Sequence, residues 1–519
     1  MNKMNRRKFI NASAMTSAGL IVGPLMEGED SIFNSAETNN SNVNLSEKNI
    51  EFPARQIPVV LETDVVVIGG GPAGFGAAMR AARSGISTLL IERFGGPGGA
   101  ATSGYMCVTG QGSSFPLHTE WVEGLRKEGW LFDAWKAYPQ LENNVLVHQS
   151  GRNSFYPDDG AYVMNEMLEK AKVKMLYRTS FVDTILKSST TGDNSIEAIV
   201  VENASGLQAI KGKIYIDSTG IADVVARSGS PYISAGNGKG HPVPFSLMYR
   251  VSGVDYEKLF EYQKTDPALW TAIAKARAAG DIPDELYMPY KYEIGGGWGG
   301  YRGCPQLNMC AIRGNGEMLV WSFPPSDWGL NAAENGIDAS RGEILMRKLN
   351  IAEVKFLKKY IPGFENAYLS GMAPYMAIRE GRHPQGEYVL SWDDVINERK
   401  FPDAVLRKGS GDIMDWGEDM VRRPNEKGEM IWKKPPRKDK KNYTVDIPFR
   451  AFLPKKINNL LLAGECLSST YEMFYIRRLI PWCMRTGEVA GTAAAIAVKQ
   501  GINAKEIKWT SGYFSDPIS

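Results

Sequence analysis

Residues 64–92 read DVVVIGGGPAGFGAAMRAARSGISTLLIE, and this stretch decides the fold. It opens with a short β-branched run, which is typical of a buried parallel strand. The glycine pattern Gly69-x-Gly71-x-x-Gly74 follows directly and leads into an alanine-rich helix. A second apolar strand comes next and ends at Glu92. The order strand, glycine turn, helix and strand predicts a nucleotide-binding βαβ unit.

Each residue of this turn has a physical task. Gly69 permits the tight turn, and Gly71 lets a pyrophosphate reach the helix N-terminus, where N–H groups and the helix dipole bind anions. Gly74 lets the helix pack on the strand, and Glu92 can accept hydrogen bonds from ribose hydroxyls. A second literal match at residues 295–300 has no helix after it, so we predict only a glycine-rich loop there.

Segments outside this unit favour FAD as the nucleotide. The glycine-rich stretch 95–99 would let the chain pass a flavin ring and a pyrophosphate closely. Residues 214–220 and 460–465 each read as a strand running into a turn, and Glu465 is placed to bond a ribitol hydroxyl. A helix predicted from Gly487 would stabilise negative charge on reduced flavin at its N-terminus, with a plain core helix as the alternative.

We expect FAD to be bound without a covalent link. The predicted cofactor-binding residues are Gly69, Gly71, Pro72, Ala73, Gly74, Glu92, Arg93, Gly98, Gly99, Ala100, Thr102, Thr219, Gly220, Gly464, Glu465 and Gly487.

Composition excludes several classes of protein. The chain has 60 basic and 58 acidic residues and a net charge of +2, which gives no electrostatic case for a nucleic-acid partner. Five cysteines without a CxxC pair and four histidines argue against an iron–sulfur or zinc site, so no metal is predicted. We expect Cys466 and Cys483 to be two buried thiols, with a redox pair as the alternative.

The first residues predict export in folded form. Arg6 and Arg7 begin a basic region, a weakly apolar stretch follows, and paired arginines indicate the twin-arginine route. An ordinary amphipathic start is the alternative. The stretch is too polar for a membrane span, and no later run reaches the roughly 18 apolar residues that a span needs. We therefore predict a periplasmic or other extracytoplasmic location with no membrane span in the mature chain.

The length of 519 residues suggests about two to four domains. We predict an α/β fold, with a Rossmann-like FAD-binding domain and an inserted α+β substrate domain. The predicted segments are a signal at 1–36, a polar linker at 37–60, an FAD-binding domain at 61–235 and 441–500 with an insertion at 105–155, a substrate domain at 236–440 and a tail at 501–519.

Two local patterns fall within the predicted substrate domain. Asn315-Gly316 lies between two apolar runs and predicts a hairpin turn. Ser340-x-x-Glu343 predicts a capping box that opens a helix ending near Tyr360.

These segments resemble the FAD-dependent oxidoreductase family of glutathione-reductase-like topology, which also contains the flavoprotein part of heterodisulfide reductase. The resemblance covers nearly all of the chain after residue 60 and includes 217–220, 378–388 and 459–468. It implies the fold and the FAD cofactor, and it says little about the substrate. Two features depart from the family: Tyr471 stands where a histidine is usual, and the iron–sulfur cysteine runs of some relatives are missing.

The leading functional hypothesis is an exported flavoenzyme. It would transfer a hydride between flavin N5 and a small polar substrate, acidic or carbohydrate-derived, without bound NAD(P)H. Electrons would pass to or from a quinone, a redox protein or oxygen. The alternatives are a reductase of an unsaturated acid, resembling fumarate reductase, and a flavin-bound accessory protein without turnover.

The predicted catalytic residues are Arg379, Arg382, His383, Tyr471 and Arg478. Arg382 and Arg478 would hold an acidic substrate, because arginine forms bidentate pairs with carboxylates. Either His383 or Tyr471 would carry the proton. The alternative is that these arginines pair with neighbouring glutamates, Glu380, Glu387 and Glu472, and fix the domain interface.

Overall fold

The computed structural model describes residues 53–110, 115–137, 153–189, 192–236, 245–266, 269–281, 308–313, 315–322, 330–409, 422–424, 430–432, 445–473 and 477–509. The predicted signal segment with Arg6 and Arg7, most of the predicted linker and the loop 295–300 lie outside these residues.

The strands are β1 (Val59–Ile68), β2 (Thr88–Ile91), β3 (Phe132–Asp133), β4 (Asn153–Ser154), β5 (Lys174–Leu176), β6 (Ser180–Lys187), β7 (Ser195–Asn203), β8 (Gly206–Asp217), β9 (Tyr232–Ile233), β10 (Leu247–Ser252), β11 (Asn308–Arg313), β12 (Glu317–Ser322), β13 (Tyr368–Met372), β14 (His383–Pro384), β15 (Ala404–Gly409), β16 (Arg422–Pro424), β17 (Met430–Trp432), β18 (Val445–Pro448) and β19 (Leu460–Leu462). The helices are α1 (Pro72–Arg83), α2 (Pro116–Lys127), α3 (Ala134–Ala137), α4 (Pro157–Lys170), α5 (Asp223–Arg227), α6 (Tyr256–Gln263), α7 (Trp270–Ala278), α8 (Gly336–Tyr360), α9 (Trp392–Ile396) and α10 (Ile480–Gln500).

The largest sheet has the strand order β5–β2–β1–β8–β7–β6, and β19 pairs with the last residues of β8. The pairings among β5, β2, β1, β8 and β19 are parallel, whereas β7 and β6 are antiparallel additions. Ile68 pairs with both Ile91 and Asp217, and Asp217 pairs with Leu462. The carboxyl ends of β2, β1, β8 and β19 therefore meet at one edge, where an open α/β sheet binds its ligand.

The last four residues of β1, residues 65–68, are buried on both faces, which explains their unbroken β-branched run. Val65 and Val67 pack into a core with the helices α1 and α10. Val66 and Ile68 point to the other face, where they pack with Tyr215. A parallel sheet with helices packed against it is the arrangement that the sequence predicts, and the α/β fold class is confirmed.

A second sheet has the order β11–β12–β10–β13 and is antiparallel throughout. Tyr249 and Val251 on one face pack with residues of α6, α7 and α8. Met248, on the other face, packs with Cys107 and Val108, which follow the glycine-rich loop of the nucleotide site. The second sheet is therefore seated directly against the nucleotide-binding part of the chain.

The structure confirms the predicted Asn315-Gly316 hairpin and corrects three boundaries. Strands β11 and β12 pair on either side of that turn. Strand β1 begins at Val59, so the predicted linker is shorter than 37–60. Helix α8 begins earlier than the predicted capping box, because the side chain of Asn335 accepts the N–H groups of its first turn. Helix α10 begins at Ile480 rather than near Gly487.

Within the described ranges, no helix is both long enough and apolar enough to cross a bilayer.

A buried carboxyl group makes the stability of the region between the second sheet and helix α8 depend on pH. Glu353 of α8 is 4% exposed and accepts a 2.9 Å hydrogen bond from Ser322 Oγ of β12. Burial raises the pKa of Glu353 from its ordinary value of 4.5 to about 8, and the Ser322 bond opposes this rise. Because the folded state holds this proton more tightly than the unfolded state, stability falls as pH rises from 4.5 towards 8.

We predict that Glu353→Gln reduces this decrease in stability between pH 4.5 and pH 8. Glutamine keeps an acceptor for Ser322 and cannot ionise, so the variant should melt about 2–8 °C above the wild type near pH 8. This advantage should disappear near pH 4.5. Thermal unfolding across this range measures the effect, and Glu257→Gln is the control because Glu257 is exposed. If the melting temperature of Glu353→Gln changed with pH as steeply as that of the wild type, the raised pKa of Glu353 would be contradicted.

Candidate functional site

The turn after β1 is held by the end of β8. Gly69 has φ of +101°, and a Cβ there would lie 2.5 Å from the carbonyl oxygen of Ser218. The hydroxyl of Ser218 lies 2.8 Å from the carbonyl oxygens of both Ile68 and Gly69. Gly74 packs equally closely, since its Cβ would lie 1.8 Å from the carbonyl oxygen of Gly69. Glycine is therefore required at both positions, as the sequence predicts.

Glu92 closes this turn from the neighbouring strand. Its Oε2 accepts a 2.6 Å hydrogen bond from Gly70 N, and its Oε1 accepts a 2.9 Å bond from Phe94 N. The side chain is buried at 5% exposure. Each carboxylate oxygen keeps a second lone pair, so the group is positioned to accept from a ribose diol as well.

An open cradle lies at the N-terminus of α1. Gly71 is the N-cap residue with φ of −63°, and a Cβ on it would meet no atom within 4 Å. Gly99 stands opposite, because its Cβ would lie 3.0 Å from Gly71 Cα. The N–H of Gly98 donates to Gly70 O over 2.7 Å and ties this loop to the turn. The helix N-terminus together with this space fits a pyrophosphate.

Glu465 lies at the same edge, directly after β19. Its Oε1 atom is buried and meets no hydrogen-bond donor among the described residues, although the residue as a whole is partly exposed. Burial raises the pKa of the Glu465 carboxyl to about 7, and positive charge on Arg477 and Arg478 opposes the rise. A hydroxyl donor is what this oxygen lacks, and a ribitol chain carries several. The cradle and this acceptor together fit FAD.

Other predicted cofactor residues have structural partners. Thr102 is buried, and its hydroxyl donates to Pro97 O over 2.7 Å inside the glycine-rich loop. The hydroxyl of Thr219 donates to Asp217 Oδ1 over 2.7 Å. Both threonines therefore shape the loops of the cradle. The guanidinium of Arg93 lies 4.9 Å from the centre of the Phe94 ring.

Gly487 lies in the interior of α10 and not at its start. A Cβ on Gly487 would lie 2.0 Å from the carbonyl oxygen of Ala73. The predicted role at a helix N-terminus is therefore wrong for this residue, and its small size serves helix packing. The actual helix start is marked by Pro481 in the first turn.

The structure assigns Arg382 to an ion-paired interface. Its NH1 atom lies 3.0 Å from both Ile221 O and Asp223 Oδ1, and its Nε lies 3.6 Å from Glu334 Oε2. These partners differ from the glutamates that the alternative hypothesis proposed. The arrangement nevertheless favours that hypothesis, because the guanidinium joins β14 and its surroundings to the nucleotide-binding segment.

His383 lies in a buried chain between Glu380 and Arg477. Its Nε2 is 2.9 Å from Glu380 Oε1, and its Nδ1 is 2.6 Å from Arg477 NH2. Arginine has only donors, so Nδ1 must be the acceptor and Nε2 carries the proton. His383 is therefore a neutral imidazole with both nitrogens engaged, and it cannot take a second proton without losing the Arg477 bond. Glu380 also accepts from Gly236 N, and Arg477 donates to Leu467 O.

Two further predicted residues lie close to Glu465. Arg478 and Arg379 both contribute positive charge that lowers the pKa of this carboxyl. Tyr471 is buried and meets His383 edge to face, with ring centres 5.8 Å apart. The structure thus brings Arg379, Tyr471 and Arg478 to the carboxyl edge, while Arg382 points to Asp223.

Sequence reasoning missed Ser218, Arg477 and the inward role of Glu380. Ser218 stands inside the predicted strand-to-turn segment, which offered a signal for it. Arg477 is adjacent to the predicted Arg478, and nothing in two consecutive arginines says which one turns inward.

The predicted thiols are confirmed as buried. Cys466 Sγ donates to Asp217 Oδ1 over 3.3 Å, and Cys483 Sγ donates to Arg477 O over 3.2 Å. Burial raises the pKa of both thiols. Neither cysteine forms a disulfide within the described part of the chain.

Comparison with known protein families gives a match that spans most of the chain. The profile of the family described as FAD dependent oxidoreductase matches residues 64–512. An uncharacterized protein in the nifH2 5' region of Methanosarcina barkeri is 28% identical over 186 residues, which cover 34% of this chain and 91% of that protein. The family profile covers both the nucleotide-binding sheet and the second sheet.

Solved structures show similarity at low identity. A geranylgeranyl bacteriochlorophyll reductase-like protein from Thermoplasma acidophilum has a TM-score of 0.42 and 13% identity, covering 85% of this chain and 80% of that chain. The p-nitrophenol 4-monooxygenase of Pseudomonas putida has a TM-score of 0.39 and 10% identity, covering 86% of this chain and 83% of that chain.

We predict that Gly71→Val abolishes FAD loading without unfolding the chain. The added side chain would fill the cradle, and the negative φ of Gly71 accommodates valine without backbone strain. The affinity for FAD, measured from the flavin-to-protein ratio across an FAD titration, should fall at least about tenfold, a loss of about 1.4 kcal/mol or more. Far-ultraviolet circular dichroism should be unchanged.

The matched control is Gly336→Val. Gly336 is the first residue of α8, and a Cβ there also meets no atom within 4 Å. This variant should load FAD like the wild type. Full FAD occupancy in Gly71→Val would show that the cradle does not hold the pyrophosphate.

Proposed function

The chain belongs to the FAD-dependent oxidoreductase family, and on that premise we propose that it is an exported hydride-transferring enzyme for a small polar substrate. FAD, when bound, supplies the N5 atom that accepts or gives up the hydride. We also propose the glutathione-reductase-like subtype, non-covalent FAD without an iron–sulfur cluster, and electron exchange with a quinone, a redox protein or oxygen. The sequence has one strand–glycine turn–helix unit, which supports turnover without bound NAD(P)H.

One observation carries this proposal. Glu465 follows β19 at the carboxyl edge of the sheet, where the preceding Gly464 packs against Ala73 of the cradle helix, and three arginines, Arg379, Arg477 and Arg478, are near enough to act on its charge. Preorganised positive charge stabilises negative charge that develops during hydride transfer, and it does so most strongly in a site that is partly shielded from water. The same charge attracts a polar or acidic substrate.

The residues of this edge have different tasks in the proposal. Arg477 is 2% exposed and engaged with Leu467 and His383, so it supplies charge without reaching a ligand. Arg478 is half-buried and can reach one. Tyr471 is the proposed proton carrier, since both nitrogens of His383 are occupied. Arg382 and His383 are proposed as positioning residues that hold the domain interface.

A substrate screen without oxygen tests the proposal. We expect at least one hydroxy acid or sugar-derived alcohol to bleach the flavin absorbance of the loaded protein. Arg478→Met should retain FAD and slow this bleaching by about 10²–10⁴-fold, whereas Arg407→Met, at an exposed position, should not. Reoxidation of chemically reduced protein by an unsaturated acid such as fumarate would favour the reductase alternative. Flavin that no substrate changes in either direction would favour the accessory role.

Export is tested separately. Changing Arg6 and Arg7 together to lysine removes the paired arginines while keeping the charge. We predict that the precursor then accumulates in the cytoplasm with FAD bound, as cell fractionation and flavin fluorescence would show. Unchanged export of this double variant would contradict the twin-arginine route.

A further inference from the structure

Arg250 lies close to two tyrosine rings next to the nucleotide loop. The Cζ atom of Arg250 is 5.2 Å from the centre of the Tyr105 ring and 5.1 Å from that of Tyr156. Its Nε is buried and meets no hydrogen-bond acceptor within the ranges that the structure describes. The guanidinium thus contacts two aromatic rings, and its Nε–H has no acceptor among the described residues.

Tyr105 connects Arg250 to the nucleotide cradle. It follows Gly104, whose N–H donates to Gly99 O over 2.9 Å, and Gly99 lies against Gly71. Tyr105 has φ of +59°, a left-handed conformation that is costly for a bulky residue. Its N–H donates to Thr102 O over 2.8 Å and helps to keep it there. The loop that lines the cradle therefore also aims this ring at Arg250.

The second sheet leaves room for the guanidinium. Arg250 of β10 pairs with Gly371 of β13. A Cβ on Gly371 would lie 2.9 Å from Arg250 NH2 and 3.1 Å from its Nε. Glycine at this position therefore lets the side chain lie flat across the neighbouring strand.

No carboxylate of the described chain neutralises Arg250. Glu317 is an acidic residue on the adjacent strand, and its Oε1 accepts from Ser252 Oγ over 3.2 Å. Burial raises the pKa of Glu317, whereas a paired arginine would lower it. A partly buried charge without a partner costs free energy unless a ligand supplies one. The N–H groups along the planar edge of a guanidinium match the two oxygens of a carboxylate.

We propose that Arg250 binds the carboxylate of the substrate, so the substrate class is a small carboxylate-bearing molecule. This inference rests on the proposed flavin reaction and names a residue that the predicted set of arginines did not contain. Arg250 reaches the substrate from the second sheet, and Arg478 reaches it from the carboxyl edge of the large sheet.

The test uses FAD-loaded protein and a panel of carboxylates with their uncharged amides: acetate, lactate, succinate and benzoate against acetamide, lactamide, succinamide and benzamide. Binding is measured by flavin difference spectra and by thermal shift. We expect at least one acid, and not its amide, to bind the wild type. Arg250→Gln should weaken that binding by about 10–100-fold, and Arg407→Gln should not.

A second variant keeps the proposal testable if Arg250→Gln folds poorly. Gly371→Ala leaves the charge in place and displaces the guanidinium, because the crowding atoms are the far end of a flexible side chain. Its backbone does not have positive φ, so alanine is tolerated. We expect a several-fold weaker carboxylate affinity at nearly unchanged melting temperature.

Several outcomes would overturn the inference. These are carboxylate binding that is equal in wild type and Arg250→Gln, no binding of any acid to loaded wild type, or equal binding of acids and amides. Bleaching by a neutral substrate that persists in Arg250→Gln would remove the inference and leave the proposed function standing. Carboxylate binding through Arg250 in a protein whose flavin no substrate changes would remove the proposed function instead.

Discussion

The close contact between helices α1 and α10 is the constraint on which the rest of the nucleotide site depends. A Cβ on Gly76 would lie 2.2 Å from Met484 O, and one on Gly491 would lie 2.3 Å from Ala77 O, so the two backbones touch where only glycine fits. The same crossing positions the turn after β19, since a Cβ on Gly464 would lie 2.6 Å from Ala73 Cβ. Segments separated by most of the chain are thereby fixed to each other, and Glu465 is fixed relative to the helix N-terminus.

This constraint explains which parts could be predicted from sequence. The strand, turn and helix at residues 64–92 are set by local order, and parallel strands must bring their carboxyl ends to one edge. Glu92 and Glu465 could therefore be assigned before any contact was known. The start of α10 was predicted wrongly, because glycine at position 487 serves packing against Ala73 of another helix and not a helix start. Pro481 was the local signal for the true start.

The arginines show where sequence reasoning ends. Arg382 pairs with Asp223 and Glu334, and Arg477 bonds His383; these partners lie far away in sequence. The alternative hypothesis named glutamates, whereas the acidic partners that the structure gives Arg382 are Asp223 and Glu334. Only the three-dimensional arrangement shows that His383 is held as a neutral imidazole. It also shows that Arg477 is buried and that Arg478 is partly exposed.

An arginine inside a protein can pair with groups of the fold or with a ligand, and the described arginines differ in how far the fold already pairs them. Arg382 and Arg477 are held by the fold, because each donates to a backbone oxygen and also contacts a side chain, although the Nε of each meets no hydrogen-bond acceptor among the described residues. Arg250 differs, because among the described residues its guanidinium contacts two tyrosine rings and forms no ion pair. The two sheets meet where Tyr105 passes from the nucleotide loop to Arg250. A substrate at this junction would touch the cofactor-binding sheet on one side and the positive charge of Arg250 on the other. The second sheet would then orient the substrate, while the reaction would take place at the cofactor held by the large sheet.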